Sequence, residues 1–231
     1  MKSIKIFWPK KVVKGSINLP LSKSHCNRIL MLQAVSDGKI KASAVSDARD
    51  TKILQKDLNH VAQHVGSSDP VLVRGEDAGT VVRFLLAYLC IKPGNWILDG
   101  TERMRERPMA PLVEALRSLG AEIKYMGKEG VLPLQIKGKK IEGGEVTIDT
   151  SLSSQFLSAL LLIGATLKKG IRIKTTGKYS SRPYIDMTIQ VLKEAGLEVY
   201  EYESEFYVPG QTFKAKSLEP ESDWSSASYL Y

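Results

Sequence analysis

The sequence predicts an α/β domain of three copies of one βαβαββ unit, and two internal similarities predict it. First, three stretches end alike. Ile53, Leu54 and Leu58 lead through Val65-Gly66 to Val71–Gly75; Leu112, Val113 and Leu116 lead through Leu119-Gly120 to Ile123 and Leu134–Gly138; Ile189 and Leu192 lead through Ala195-Gly196 to Val199 and Phe206–Gly210. Each copy has apolar residues at helical spacing, a glycine suited to ending a helix, and alternating strands joined by a turn. Second, the fronts match: an apolar helix opens on small polar residues at Ser24, Gly79-Thr80 and Ser153-Ser154, and a glycine closes it at Gly38, Gly94 and Gly170.

In chain order, a leading strand is expected at Ser16–Leu19, then the helix from Ser24, a strand at Lys39–Ala42, a second helix and the strand Val71–Gly75. The second unit continues with the helix from Gly79-Thr80, a strand at Trp96–Asp99, and a helix opening at Pro108 after the charged run Glu102–Arg107. The third has its leading strand at Glu145–Ile148, its front helix from Ser153-Ser154 and a strand at Ile171–Lys174. Apolar helix faces that recur threefold are buried against one another and against the sheets. Finally, Asp223–Tyr231 repeats the small-polar opening of Ser153–Leu160, as if a fourth unit began. So short a helix has no stable independent existence, so the expectation is a piece of a longer, roughly twofold-repeated protein.

Composition narrows the function classes. Apolar residues make up 43% and charged residues 25% of the 231, ordinary values for a folded globular chain. The longest apolar stretch, Phe156–Leu167, is broken by Ser158 and Thr166 and is well short of a membrane span, and the start has no signal-peptide pattern. Cytoplasm is the expected location. Cys26 and Cys90 lie in apolar, helix-like segments without metal-type spacing and read as buried thiols. The formal net charge of +8 favours anionic partners. Its basic residues are dispersed, and the clusters at Lys10-Lys11, Lys137–Lys140 and Lys168-Lys169 lie in turns, which argues for small phosphorylated or carboxylated ligands over nucleic acid.

Helix starts are where such ligands bind, because unpaired amides and the positive end of the helix dipole face them. A single serine there is usually a simple cap. Here Lys23-Ser24 with Arg28, Gly79-Thr80 with Arg83, and Ser153-Ser154-Gln155 occupy equivalent positions of the repeat and would converge at one end of the domain. Of the three arginines in Glu102–Arg107, Arg107 is best placed, since it precedes Pro108 and has the planar fork that phosphate favours. Ser181-Arg182-Pro183-Tyr184 is its counterpart in the third unit. His60 and His64 are spaced as a metal pair but lack a third ligand, and Ser22-Lys23 fits anion binding better than a nucleophilic dyad.

Six motifs in order, Leu21–Arg28, Asp77–Arg83, Arg103–Pro108, Ser153–Phe156, Ser181–Asp186 and Asp223–Tyr229, together resemble the 3-phosphoshikimate 1-carboxyvinyltransferase (EPSP synthase) family. The resemblance implies one domain of a two-domain enolpyruvyl transferase fold, with substrates held between the domains. Residues 1–19 would form a strand pairing with the missing second domain, residues 20–220 the domain that binds shikimate 3-phosphate, and residues 221–231 the start of the second domain. By the same resemblance Lys23, Ser24, Arg28, Ser153, Ser154, Gln155, Ser181 and Tyr184 contact shikimate 3-phosphate. Lys23, Gly79, Arg107 and Gln155 contact phosphoenolpyruvate, with Lys23 also at the reacting hydroxyl.

The family reaction joins the shikimate 5-hydroxyl to C2 of phosphoenolpyruvate as C3 is protonated, and phosphate then leaves. Proton transfer and charge stabilisation suffice, so no metal or organic cofactor is implied. Because family members take an acid/base carboxylate and further Lys and Arg ligands from the second domain, this chain alone is expected to lack turnover. Without that domain Ile4, Ile6, Phe7 and Trp8 would be uncovered, and self-association is expected.

Two departures stand out. Leu21 replaces a usual glycine, and Asp77 stands where asparagine is common, a carboxylate that would oppose phosphoenolpyruvate or glyphosate unless paired, with Arg83 or Arg107 the expected partners. The alternatives are a UDP-N-acetylglucosamine enolpyruvyl transferase, against which the Ser-Ser-Gln-Phe and Ser-Arg-Pro-Tyr motifs and the lack of a reactive cysteine in a glycine-rich loop argue, and a non-catalytic anion-binding domain.

Overall fold

A computed structural model describes residues 15–230. In the first unit α1 (Lys23–Val35) leads to β1 (Ile40–Ala42) and α2 (Arg49–Gln63). The second runs β2 (Val71–Arg74), α3 (Gly79–Ile91), β3 (Gly94–Asp99), the single turn α4 (Glu102–Arg105), α5 (Ala110–Ser118), β4 (Glu122–Tyr125) and β5 (Leu134–Gly138). The third runs β6 (Gly144–Asp149), α6 (Ser154–Gly164), β7 (Ile171–Thr176), α7 (Arg182–Glu194), β8 (Tyr200–Tyr202) and β9 (Glu205–Val208). After it come β10 (Lys216–Leu218) and the short α8 (Trp224–Ala227), which continues as a 3-10 turn at Ser228–Leu230.

The second and third units fold alike. Their sheets have the orders β2-β3-β5-β4 and β6-β7-β9-β8, each with one parallel pair followed by two antiparallel ones. Trp96 opposite Ile136 and Ile173 opposite Phe206 hold matching inward positions. Strands alternate buried and exposed residues, as in Val71–Arg74, so one face of each sheet meets the helices. Gly120 and its counterpart Gly196 end their helices as their spacing predicts, with φ of +95° and +80°, a region where a Cβ is strained, and each donates back into its helix. Gly94 and Gly170, expected to close α3 and α6, lie instead at the start of β3 and just before β7, because those helices are already capped at Lys92 and Ala165.

The first unit departs from the repeat. Val71–Gly75, expected as its last strand, is the first strand of the second unit, parallel to β3. Too little chain separates Gln63 from Gly79 for a full hairpin, so β1 finds its partner elsewhere, pairing in parallel with β10 from beyond the third unit. Ser16–Leu19 is not a strand; contact there is limited to one antiparallel bridge between Leu21 and Ser222. The fifth helix begins at Ala110 rather than Pro108, because the amide of Met109 donates to Gly130 and Pro111 takes the first-turn position. The opening residues Ile4, Ile6, Phe7 and Trp8 lie outside the described residues.

The helices sort by sequence character. α3 and α6 are apolar on nearly every side and are buried on nearly every side, which makes them the centre of the core. α2, α5 and α7 carry one apolar stripe each and lie outside them. Phe84, Leu85, Leu86 and Leu89 from α3 and Phe156, Leu157, Leu160 and Leu161 from α6 are fully buried, each contributing about 1.5–3 kcal/mol. No helix among the described residues is long and apolar enough to cross a membrane. This packing carries the starts of α1, α3, α6 and α7 to one end of the molecule.

Candidate active site

At that end lies a cleft of about 510 Å³, walled by residues from five helix starts. Ser22, Lys23, Ser24 and Arg28 come from α1, Thr80 from α3, Ser153, Ser154 and Gln155 from α6, Ser181 and Tyr184 from α7, and Asp223, Trp224 and Ser225 from α8. The Ser153 hydroxyl caps α6 by accepting the Gln155 amide at 3.2 Å, and the Ser180 hydroxyl accepts the Ser154 amide at 3.1 Å. Ser181 occupies the cap position of α7, its hydroxyl bonds none of that helix's amides, and the residue lines the cleft.

Two arginines stiffen the floor. Arg28 is 2% exposed; its guanidinium donates to the Thr188 hydroxyl at 2.7 Å, the Tyr184 carbonyl at 2.9 Å and the Ser24 carbonyl at 2.8 Å, tying α1 to α7. Arg83, also 2% exposed, donates to the Gly79 carbonyl at 3.0 Å and to Gln155 Oε1 at 2.9 Å. The Gln155 amide is thereby oriented, its Nε2 donating to Thr80 Oγ1 at 2.9 Å. Burial pulls both guanidiniums down to about 10, and the nearby positive charge of Arg107 adds to the effect at Arg83. Both stay charged at neutral pH, and neither makes an ion pair among the described residues.

Gly79 and Arg107 sit beside this cleft rather than in its wall. Arg107 lies over the first turn of α3, so close that a Cβ on Gly79 would overlap its Nη1 and approach Arg83 Nη1 at 2.6 Å. Arg105 is spent on Asp99, to which its Nε donates at 2.9 Å, while Arg107 stays exposed. The arginine at the equivalent place in the third unit, Arg182, turns away to Asp186 and Glu201, each at 2.7 Å.

The start of α2 reaches back to α1 of its own unit and across to the second unit. Asp50 Oδ2 takes Lys23 Nζ at 3.0 Å, and Arg49 Nη1 donates to Asp77 Oδ1 at 2.7 Å. The Arg49 hydrogen bond holds the Asp77 carboxyl below the usual carboxylate range. Asp77 therefore pairs with Arg49, not with the expected Arg83 or Arg107, and the two arginines beside Gly79 keep their charge free.

An EPSP synthase (3-phosphoshikimate 1-carboxyvinyltransferase) family model matches residues 8–231, nearly the whole chain. The chain belongs to that family. It is 42% identical over 220 residues to the 3-phosphoshikimate 1-carboxyvinyltransferase of Bacteroides fragilis, covering 95% of this chain and 52% of that protein. The same-named protein of Tolumonas auensis is 39% identical over 239 residues, covering 94% and 56% respectively. The fold matches an EPSP synthase structure from Acinetobacter baumannii with a TM-score of 0.74 at 19% identity, over 94% of this chain and 52% of that one. The chain thus spans about half the length of the curated relatives it matches.

Against the family reading, the structure brings Lys23, Ser24, Arg28, Ser153, Ser154, Gln155, Ser181 and Tyr184 into one cleft, with Gly79 and Arg107 joined to it through Arg83 and Gln155. Sequence reasoning missed Asp50, Arg49, Ser180, Glu221 and Ser222, and it read Asp223–Tyr229 as a family motif without placing it in the cleft wall. Ser180 directly precedes a recognised motif, and that adjacency was the available signal. Arg49 acts on Asp77 of the second unit and Asp50 on Lys23 far back in its own unit, separations at which spacing carries no signal. The His60 and His64 rings meet at a tilt of 53° with centroids 4.5 Å apart near the end of α2, and no metal-type cluster of three or more ligands occurs among the described residues. Cys26 and Cys90 are free and buried.

Proposed function

We propose that this cleft is the shikimate-3-phosphate side of an enolpyruvyl transferase active site. The observation that carries the reading is the convergence of serine-bearing helix starts above a buried guanidinium with no carboxylate partner. Leaving a charge buried and unpaired is costly, and an anionic ligand supplies the missing partner. The phosphate fits the hydroxyls of Ser153, Ser154 and Ser181 and the positive ends of α6 and α7. Tyr184 and Gln155 border the ring, with Ser24 also lining the cleft and Arg28 in its floor beside Tyr184.

Phosphoenolpyruvate is assigned to the adjoining first turn of α3, with Gly79 admitting the anion and Arg107 on its phosphate. Lys23, 45% exposed and held by Asp50 alone among the described residues, is free to swing between the two ligands. Its ammonium stabilises charge as the 5-hydroxyl oxygen, giving up its proton, attacks C2 of phosphoenolpyruvate and C3 takes a proton; the tetrahedral adduct then loses phosphate together with a C3 proton, which restores the double bond. In this reading residues 20–220 are the binding domain, residues 1–19 and 221–231 link it to the rest of the longer relatives, and the protein works in the cytoplasm.

Calorimetry on the purified chain tests the assignment. Shikimate 3-phosphate is expected to bind at least tenfold more tightly than shikimate, since a hydrogen bond to a charged group is worth about 1.5–3 kcal/mol. Ser153→Ala with Ser154→Ala should erase that difference. Equal affinity for both ligands, or preference for UDP-N-acetylglucosamine, would overturn the reading. A coupled phosphate-release assay is expected to show no appreciable turnover from this chain by itself.

A further inference from the structure

The wall of the cleft formed by Glu221–Ser225 is held by a histidine that takes no part in the chemistry proposed above. His25, on α1 between cleft residues Ser24 and Arg28, is 1% exposed. Its Nδ1 accepts the backbone N–H of Glu221 at 2.9 Å, across 196 positions of sequence. The neutral ring therefore carries its proton on Nε2, which has no hydrogen-bond partner and lies 3.8 Å from Glu194 Oε2 at the end of α7. Gln190 completes the group, donating to Glu194 Oε1 at 2.8 Å and to Glu221 Oε1 at 3.3 Å.

Glu221 stands at one end of a short antiparallel contact between two distant segments. The Ser22 amide donates to the Glu221 carbonyl at 2.7 Å, and the Asp223 amide donates to the Pro20 carbonyl at 2.8 Å, with Leu21 and Ser222 bridged between them. Both segments are outside regular sheets, so these bonds lack the support of further strands. Ser22 caps α1 and so joins one segment to that helix, and the His25 ring ties the other segment, at Glu221, to the body of α1. Beyond it, Asp223 caps α8 and so fixes Trp224 and Ser225 in the cleft wall.

We propose that His25 is a positioning residue: its Nδ1 latches the Glu221 amide, and through it the Glu221–Ser225 wall, against the helix that carries Lys23, Ser24 and Arg28. The position demands a buried acceptor at one point. An apolar side chain fills the space but strands the amide, and an acceptor placed one bond further out misses it. Asparagine Oδ1 stands where Nδ1 stands; glutamine Oε1 does not.

The test compares the full chain with His25→Leu, His25→Asn and His25→Gln by hydrogen exchange and shikimate-3-phosphate calorimetry, after urea unfolding has shown which variants are folded. His25→Leu and His25→Gln are expected to speed exchange of the Glu221 amide at least tenfold, roughly the effect of one lost hydrogen bond. His25→Asn is expected to restore protection. Shikimate-3-phosphate affinity should fall and recover in step, a part that rests on the proposed function. Unchanged exchange in His25→Leu, or equal protection in His25→Gln and His25→Asn, would overturn the latch, and the Asn–Gln comparison decides even if His25→Leu does not fold. Exchange that changes while affinity does not would overturn its role in the site. Failure of the unmodified chain to bind shikimate 3-phosphate would instead count against the ligand assignment and leave the exchange result to judge the latch.

Discussion

A side chain on residue 79 would have to displace one of two guanidiniums. Arg83 cannot yield, because it is buried and pinned to the Gly79 carbonyl and Gln155. Arg107 is exposed and its sulfur contact with Met104 is long at 3.9 Å, so it moves first. Gly79→Ala is therefore expected to weaken phosphoenolpyruvate binding by roughly tenfold, the loss of about one charge-assisted hydrogen bond, with shikimate-3-phosphate affinity within about twofold of the original. Titrating each ligand separately by calorimetry checks this, and equal losses for both would show that the substitution disturbs the whole cleft. The residue itself was legible in the sequence, as the small opening of a front helix, and so were Lys23, Ser153, Ser154 and Gln155. What spacing could not show was pairing. Asp77 was visible as an intruding carboxylate, yet its neutralising partner Arg49 lies 28 positions away on another unit, and only the packing of α2 against α3 brings them to 2.7 Å.

At the scale of the elements, α2 shows how a periodic pattern can be right and still conceal a charge. Its apolar residues Leu54, Leu58 and Val61 predict the buried stripe, and they are buried. Asp57 lies in the same stripe, with Oδ2 buried and unpartnered. Burial pushes its carboxyl up to about 7, with the Glu76 charge adding to the rise and Lys56 opposing it. Between the ordinary carboxylate pKa of about 4 and that value the folded chain holds a proton that the unfolded chain has lost, so stability falls as pH rises through this window. Urea midpoints are expected to decline from about pH 4 to about pH 7, and Asp57→Asn is expected to flatten the profile and be the more stable form above pH 7. A midpoint for the unmodified chain that rises with pH over this range would refute the assignment. The strand content was legible for the same local reasons in the second and third units. In the first unit Lys39–Ala42 was legible too, as β1, but its pairing was not, because the partner comes from Lys216–Leu218, a non-local pairing that no periodicity announces.

For the molecule as a whole, the net charge of +8 predicts only the sign of its ligands. The fold adds position, by turning the starts of α1, α3, α6 and α7 toward one cleft, and it divides the positive charge into two kinds. Lys23 is exposed and screened by salt, whereas Arg28 is buried and screened little. A ligand that engages both should stabilise the folded chain strongly yet respond only partly to ionic strength. At about 100 times its dissociation constant a ligand adds about 2.7 kcal/mol. For a chain of this size that corresponds to a rise in Tm of about 5–10 °C. Shikimate 3-phosphate is expected to give such a shift, shikimate much less, and inorganic phosphate an intermediate one, because phosphate reaches the serines but leaves the ring contacts empty. Raising the salt to about 0.5 M should remove part of the shift, the part carried by exposed charge. Complete loss in salt would mean that the ligand rests on surface lysines alone and that the buried guanidinium beneath the cleft is structural only.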